Sequence, residues 1–95
     1  GVHARELASG KSVDVELAGL FVYVGLQPNT AILRNLVDLS DSGRVSTDSW
    51  MKTARDGLYA AGDIRQDSAG QAITSAGDGA TAAIAAYRYI KETFR

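Results

Sequence analysis

Gly62 and Asp63 close a short apolar run at residues 58–61, and they are the first residues of the chain whose types and order could do chemistry. A glycine at a strand end lacks the Cβ that would hold a ligand off the backbone. The carboxylate beside it accepts hydrogen bonds from sugar or polyol hydroxyls. Alone, the dipeptide is also an ordinary turn signal. Two further segments give it context: Gly25-Leu26-Gln27-Pro28-Asn29-Thr30 before it, and Gly70-Gln71-Ala72-Ile73-Thr74-Ser75-Ala76-Gly77 after it, at the head of a helical pattern. The amides of Gln71, Ala72 and Ile73 fall in a first helical turn and have no carbonyl four residues back. Together with the positive end of the helix dipole they favour negative charge placed against them.

Other reactive residue types do not assemble into sites. Cysteine is absent, which excludes disulfide staples, thiolate metal centres and dithiol exchange by this chain itself. His3, the one histidine, reads as a surface strand residue, and no metal site is expected. Ser68, Ser75 and Asp78 have no histidine within reach and form no triad, while Asp38 and Asp41 lack metal-loop spacing. Gly77-Asp78-Gly79 lies inside a helical pattern and follows no strand, so it fails as a dinucleotide turn. Ten basic and eleven acidic residues are interleaved for a net charge of -1, which leaves no basic stripe for nucleic acid. No apolar run approaches the ~20 residues of a membrane span and no signal pattern opens the chain, so the expected compartment is the cytoplasm.

The elements that must position these residues follow from periodicity. Residues 2–7 and 12–17 alternate on either side of Ala8-Ser9-Gly10-Lys11, which predicts a hairpin. The continuous apolar run 20–24 predicts a strand buried on both sides, with Tyr23 packed in it. Pro28 ends pairing there, and Asn29 or Thr30 can cap a short helix to Leu36. Asp41-Ser42-Gly43 is a turn, residues 44–47 a short strand, and Trp50-Met51 an apolar anchor. Residues 58–61 form the next strand. From residue 70 to 93 the pattern is helical, with Ile73, Ala76, Ala80, Ala83 or Ile84, Tyr87, Ile90 and Phe94 on the expected packing face. Gly77 and Gly79 cost up to ~1 kcal/mol each within it relative to alanine, which points to close approach by a strand or a ligand.

The three glycine-containing segments, taken together, resemble the C-terminal end of a thioredoxin reductase, a class of pyridine nucleotide-disulfide oxidoreductase, over nearly all 95 residues. The resemblance implies an α/β fold that is a segment of a two-dinucleotide-binding-domain, Rossmann-like flavoprotein. Residues 1–25 would be the closing hairpin and last strand of the nicotinamide-binding domain, and residues 26–95 the second segment of the FAD-binding domain. Gly62, Asp63, Ile64, Gly70, Gln71 and Ala72 would contact FAD: Asp63 at the ribityl and pyrophosphate region, the Gln71 and Ala72 amides at the flavin's pyrimidine edge. A helix terminus worth about 0.3 to 2 kcal/mol would raise a two-electron potential by roughly 5 to 45 mV, tuning the cofactor without holding it.

The resemblance further implies electron flow from NADPH through FAD to a protein disulfide such as thioredoxin's. The NADPH site, the glycine turns and the redox cysteines would all lie outside this chain, so no catalytic residue is assigned within it. The chain alone is expected to be inactive, to bind FAD weakly, and to self-associate through the apolar edges of residues 20–24. The basic residue usual before Gln71 in the family is Gly70 here, and Arg65 either replaces that charge or is a solvated loop residue. This departure leaves room for a ferredoxin-NADP-type or peroxide-system flavoprotein reductase. A non-catalytic α/β binding module is the reading of a different class.

Overall fold

A computed structural model of the chain describes residues 1–95. The predicted hairpin is present as strands β1 (Val2–Arg5) and β2 (Ser12–Val15), antiparallel, with Val2 opposite Val15 and His3 opposite Asp14. Gly10, at φ +71°, closes the turn where a side chain would be strained, and its amide donates to the Glu6 carbonyl at 2.8 Å. His3 Nδ1 lies 2.6 Å from Asp14 Oδ1 on the exposed face. His3 is therefore a surface strand residue, and an exposed pair of this kind contributes under about 1 kcal/mol.

Residues 20–24 do not form the predicted buried strand. Phe21, Tyr23 and Val24 are each more than four-fifths exposed, and no backbone hydrogen bond joins residues 16–29 to any part of the chain. The apolar pattern is that of a central strand, but a strand becomes central only when neighbours supply its hydrogen bonds, and the chain brings none to this run. Tyr23 accordingly stacks on Phe21 with centroids 6.5 Å apart instead of packing into a core.

Beyond Pro28 the chain condenses around a small knot. The helix predicted through Leu36 is a single 3-10 turn, Ala31–Leu33. Thr30 precedes it without capping it, because its hydroxyl is buried and donates instead to the Gly43 carbonyl at 2.5 Å. Val45, the one fully buried large side chain, bridges Leu39 on one side and Arg65 on the other. Its amide donates to the Ile64 carbonyl at 3.0 Å, and its carbonyl accepts from Gln66 at 2.8 Å. The strand expected at residues 44–47 is thus one double bridge, and that at residues 58–61 is one antiparallel bridge between Lys52 and Tyr59. Each run is too short to extend its ladder.

Asp48 turns the chain between these bridges. Its Oδ1 accepts from the amides of Trp50 at 2.8 Å and Lys52 at 2.9 Å, an Asx turn that holds Met51 at φ +63°. The turn buries Met51 and leaves Trp50 half-exposed, with the Arg88 guanidinium 4.7 Å from its ring.

Helix α1 (Ala72–Thr93) matches the periodicity, but the side it packs differs from the expected one. Ile73, Ala76, Ala80, Ile84, Tyr87, Ile90 and Phe94 are exposed. The face turned to the knot carries Ser75, Asp78, Ala82, Ala85 and Tyr89, spaced three or four apart. Tyr59 donates its hydroxyl to the Ala85 carbonyl at 3.3 Å, and a Cβ on Gly57 would sit 3.4 Å from the Tyr89 ring. Neither Gly77 nor Gly79 is closely approached: a Cβ at either would meet nothing within 4 Å. The alanine-rich outer face is left open, since only the knot is available to cover the helix and it takes the polar-to-small side.

The molecule measures 68 × 27 × 18 Å with a radius of gyration of 19.9 Å, against about 12 Å for a compact domain of this length. No helix is long and apolar enough to cross a membrane. With six of 95 residues buried, Val45 carries an outsized share of the packing. We expect Val45→Ala to destabilise the knot by about 2 to 3 kcal/mol, for lost burial and a residual cavity. Val13→Ala in the exposed hairpin should stay within about 0.5 kcal/mol. Urea unfolding followed by Trp50 fluorescence measures the first, and hairpin amide signals measure the second.

Candidate functional site

Asp63 links the three segments singled out in the sequence: it lines a groove with residues 26–29 and accepts from Ser75 in the first turn of α1. The extended residues 58–61 run into a 3-10 turn, Gly62–Ile64, with Asp63 in its first position after the glycine. Gly62 is buried at φ +82°, and a Cβ there would lie 3.2 Å from both Cβ and Oγ of Ser75. Glycine is required at this point by the backbone conformation and by the helix lying against it. Asp63 remains exposed: Oδ1 accepts from the Ser75 hydroxyl at 2.9 Å, and Oδ2 has no partner within the chain. The Arg44 guanidinium donates to the Asp63 carbonyl.

Leu26, Gln27, Pro28 and Asn29 come from the first segment and join Arg44, Asp63 and Ile64 in lining a groove of about 250 Å³. A larger open groove of about 440 Å³ lies beside Arg34, Asp38 and Arg55. It gathers none of the three segments, so the smaller groove is the better candidate.

At the helix start, the Thr74 hydroxyl donates to the Gln71 carbonyl at 2.8 Å and accepts from the Gln71 amide at 3.4 Å. The Ala72 and Ile73 amides have no acceptor within the chain. Gln71 and Ala72 are exposed, as is Gly70 at φ +66° with open space around it. Asp63 is tied to the first turn through Ser75, whereas Gly70 is brought against nothing.

Arg65 fits neither expectation. It is neither a solvated loop residue nor a free charge for a ligand, because its guanidinium is committed to Asp78. Nε reaches Oδ2 at 2.9 Å and Nη2 reaches Oδ1 at 3.2 Å, with both side chains largely buried. Nη1 donates to the Thr47 hydroxyl at 3.2 Å. Asp78 Oδ2 also accepts the Gly62 amide at 3.0 Å. Ser75 and Asp78 are the residues that sequence reasoning weighed only as triad members. The available signal was their place on the helical face shared with Ala82, Ala85 and Tyr89, where a polar side chain needs a partner.

The arrangement fits an anionic, polyol-bearing dinucleotide in two respects: unsatisfied first-turn amides for negative charge, and a free carboxylate oxygen for hydroxyl groups. The fold defines the class of protein, an α/β segment of the two-dinucleotide-binding-domain flavoproteins. The chain belongs to the pyridine nucleotide-disulphide oxidoreductase family, whose sequence profile matches residues 2–80.

Over 76 residues it is 43% identical to a thioredoxin reductase of Peptoclostridium litorale, a match covering 80% of this chain and 24% of that protein. It is 40% identical over 90 residues to one component of the alkyl hydroperoxide reductase of Staphylococcus epidermidis, covering 95% of this chain and 18% of that one. The crystal structure of thioredoxin reductase from Streptococcus pyogenes superposes with a TM-score of 0.77 at 33% identity, over 95% of this chain and 29% of that chain. The chain therefore spans about a quarter or less of the length of the curated relatives it matches.

The Arg65 guanidinium, then the Gly62 amide, hold the Asp78 carboxyl below its ordinary value of 3.8. A carboxyl lowered in the folded state stabilises that state at every pH above its ordinary value. The contribution is lost as pH falls through the lowered value. Acidification below pH 3.8 should therefore loosen the Gly62–Ile64 turn from α1. In Asp78→Asn that acid-dependent step should be missing, a difference read from the pH dependence of the Gly62 and Arg65 amide signals.

Proposed function

We propose that this chain forms one wall of an FAD site in a flavoprotein that moves electrons from NADPH through FAD to a protein disulfide, in the manner of a thioredoxin reductase. The observation that carries the reading is that residues 26–29 and Asp63 line one groove while Asp63 is tied by the Ser75 hydroxyl to the first turn of α1. FAD, when bound, would supply hydride acceptance and electron transfer. The chain's own residues bind and orient: Asp63 Oδ2 accepts from ribityl or pyrophosphate-side hydroxyls. Gly62 fixes the turn that presents this oxygen, and Ile64 lines the groove beside it. Ala72, following Gly70 and Gln71, directs its free first-turn amide at the pyrimidine edge, whereas the Gln71 amide expected there is taken by the Thr74 hydroxyl.

The same reading divides the chain near Gly25. Residues 1–25 are the end of a nicotinamide-binding domain, and residues 26–95 are the returning segment of the FAD-binding domain. The unbonded stretch 16–29 and Gly25 at φ +121° support a hinge there. The nicotinamide site, a dithiol and the glycine turns belong to the rest of such a reductase, which is also this chain's principal partner. The compartment in this reading is the cytoplasm. A second reading, the flavoprotein component of a peroxide-reducing system, is supported by the match to the alkyl hydroperoxide reductase component.

Alone, the chain is inactive in this proposal. One charged hydrogen-bond acceptor worth ~1.5 to 3 kcal/mol holds FAD no more tightly than the millimolar range. Titration of FAD by fluorescence checks this, and sub-micromolar binding would overturn it. Joined to the segments that supply the glycine turns and dithiol, Asp63→Ala should weaken FAD about ten- to hundredfold. Unchanged affinity would move the cofactor elsewhere.

The exposed run 20–24 drives the isolated chain to self-associate. Sedimentation should find dimers or larger species that Val22→Lys shifts toward monomer, and a monomer at high concentration counts against this.

A further inference from the structure

Asp63 and Asp78 lie at opposite ends of a closed ring of contacts. From Asp78 the ring passes through the Gly62 amide to Asp63, then through the Ser75 hydroxyl back to the helix one turn earlier. Ser75 and Asp78 are three residues apart, so both anchors fall on one helix face. A turn held at two points cannot pivot, whereas a turn held only by Ser75 to Asp63 can. Arg65 closes a second loop: its amide donates to the Gly62 carbonyl at 3.0 Å while its guanidinium grips the same carboxylate that accepts the Gly62 amide.

Three N–H groups thus converge on Asp78, and only a carboxylate offers two acceptor oxygens to this fork. An asparagine of the same shape offers one. Arg65 is in turn steadied by Thr47 and by the bridge of its backbone to the buried Val45.

We propose that Asp78, with Arg65, is a positioning residue: it locks the Gly62–Ile64 turn onto α1 and so sets where Asp63 stands relative to the free Ala72 and Ile73 amides. The ligand it serves is a flavin dinucleotide, a part of the inference that rests on the proposed function. Asp78 itself faces away from the groove, whose lining does not include it. It acts through Gly62.

The test is amide hydrogen exchange and chemical shifts by NMR on the 95-residue chain, with Asp78→Asn and Arg65→Lys. In the parent chain the Gly62 amide should be protected. Asp78→Asn should speed its exchange by about tenfold or more and weaken the Asp63–Ser75 contacts, and Arg65→Lys should fall between. The Tyr87 and Ile90 amides, farther along α1, should keep their parent rates, which separates a lost lock from general unfolding.

Millimolar FAD should shift the Ala72 and Ile73 amides in the parent chain and shift them less in Asp78→Asn. An unprotected Gly62 in the parent, or protection and Asp63–Ser75 contacts unchanged in Asp78→Asn, overturns the lock. Equal FAD shifts in both forms overturn the positioning role. Absence of any FAD shift in the parent, with the lock behaving as expected, supports the lock and defeats the cofactor reading alone.

Discussion

The Asp78 carboxylate takes three N–H donors from two residues, and the placement of the Gly62–Ile64 turn on α1 follows from that convergence. Arg65 approaches from the loop, Gly62 from the end of the extended run, and the helix itself carries the acceptor. An Arg–carboxylate fork is directional in a way that apolar contact is not, so it fixes both distance and orientation. Because Gly62 must come close enough to donate, its Cα lies against Ser75, and a Cβ there would press to 3.2 Å on the Ser75 side chain. The glycine of the Gly-Asp pair is explained by this approach and by its positive φ. The aspartate after it is left facing solvent with one oxygen unused.

Polar anchoring matters here because apolar packing is thin. The core is Val37, Val45, Met51 and Ala85. Burial alone gives no preferred orientation, and four side chains could accommodate several arrangements of a loop on a helix. The bridge at Val45, the Asx turn at Asp48 and the carboxylate at Asp78 choose one of them. Meanwhile two apolar surfaces stay uncovered: the outer face of α1, from Ile73 to Phe94, and the extended run 20–24. Their patterns are those of a buried helix face and a central strand. A chain spanning a quarter or less of its curated relatives carries such patterns without the elements that complete them.

The peroxide-system and thioredoxin-linked readings use the same wall of the site. In both readings Asp63 and the helix start would address the same dinucleotide. Glycine at position 70 brings no charge to the helix start and Arg65 supplies none, since it is already paired, so Arg44 is the cation that lines the groove.

Local pattern was legible where the interaction is local. The hairpin followed from alternation around Gly10, the Asp41-Ser42-Gly43 turn from its residue types, and α1 from its period to within two residues at its start. The Gly62-Asp63 turn and the helix start were legible as local signals as well, since each carries its own glycine or cap residue. The strands expected at residues 20–24, 44–47 and 58–61 were not, because a ladder is a property of two segments. Residues 20–24 have the composition of a strand, but the chain pairs them with nothing. The packing side of α1 was hidden for the same reason: periodicity finds the apolar stripe, and the stripe has no cover. Asp78 and Arg65, thirteen residues apart, carry no sequence sign of their pairing. The sequence alone determined which segments can turn, cap or wind, because those preferences act between near neighbours. Only the tertiary structure decided which side chains share a carboxylate, because folding the loop back onto the helix is what brings those donors within hydrogen-bond distance.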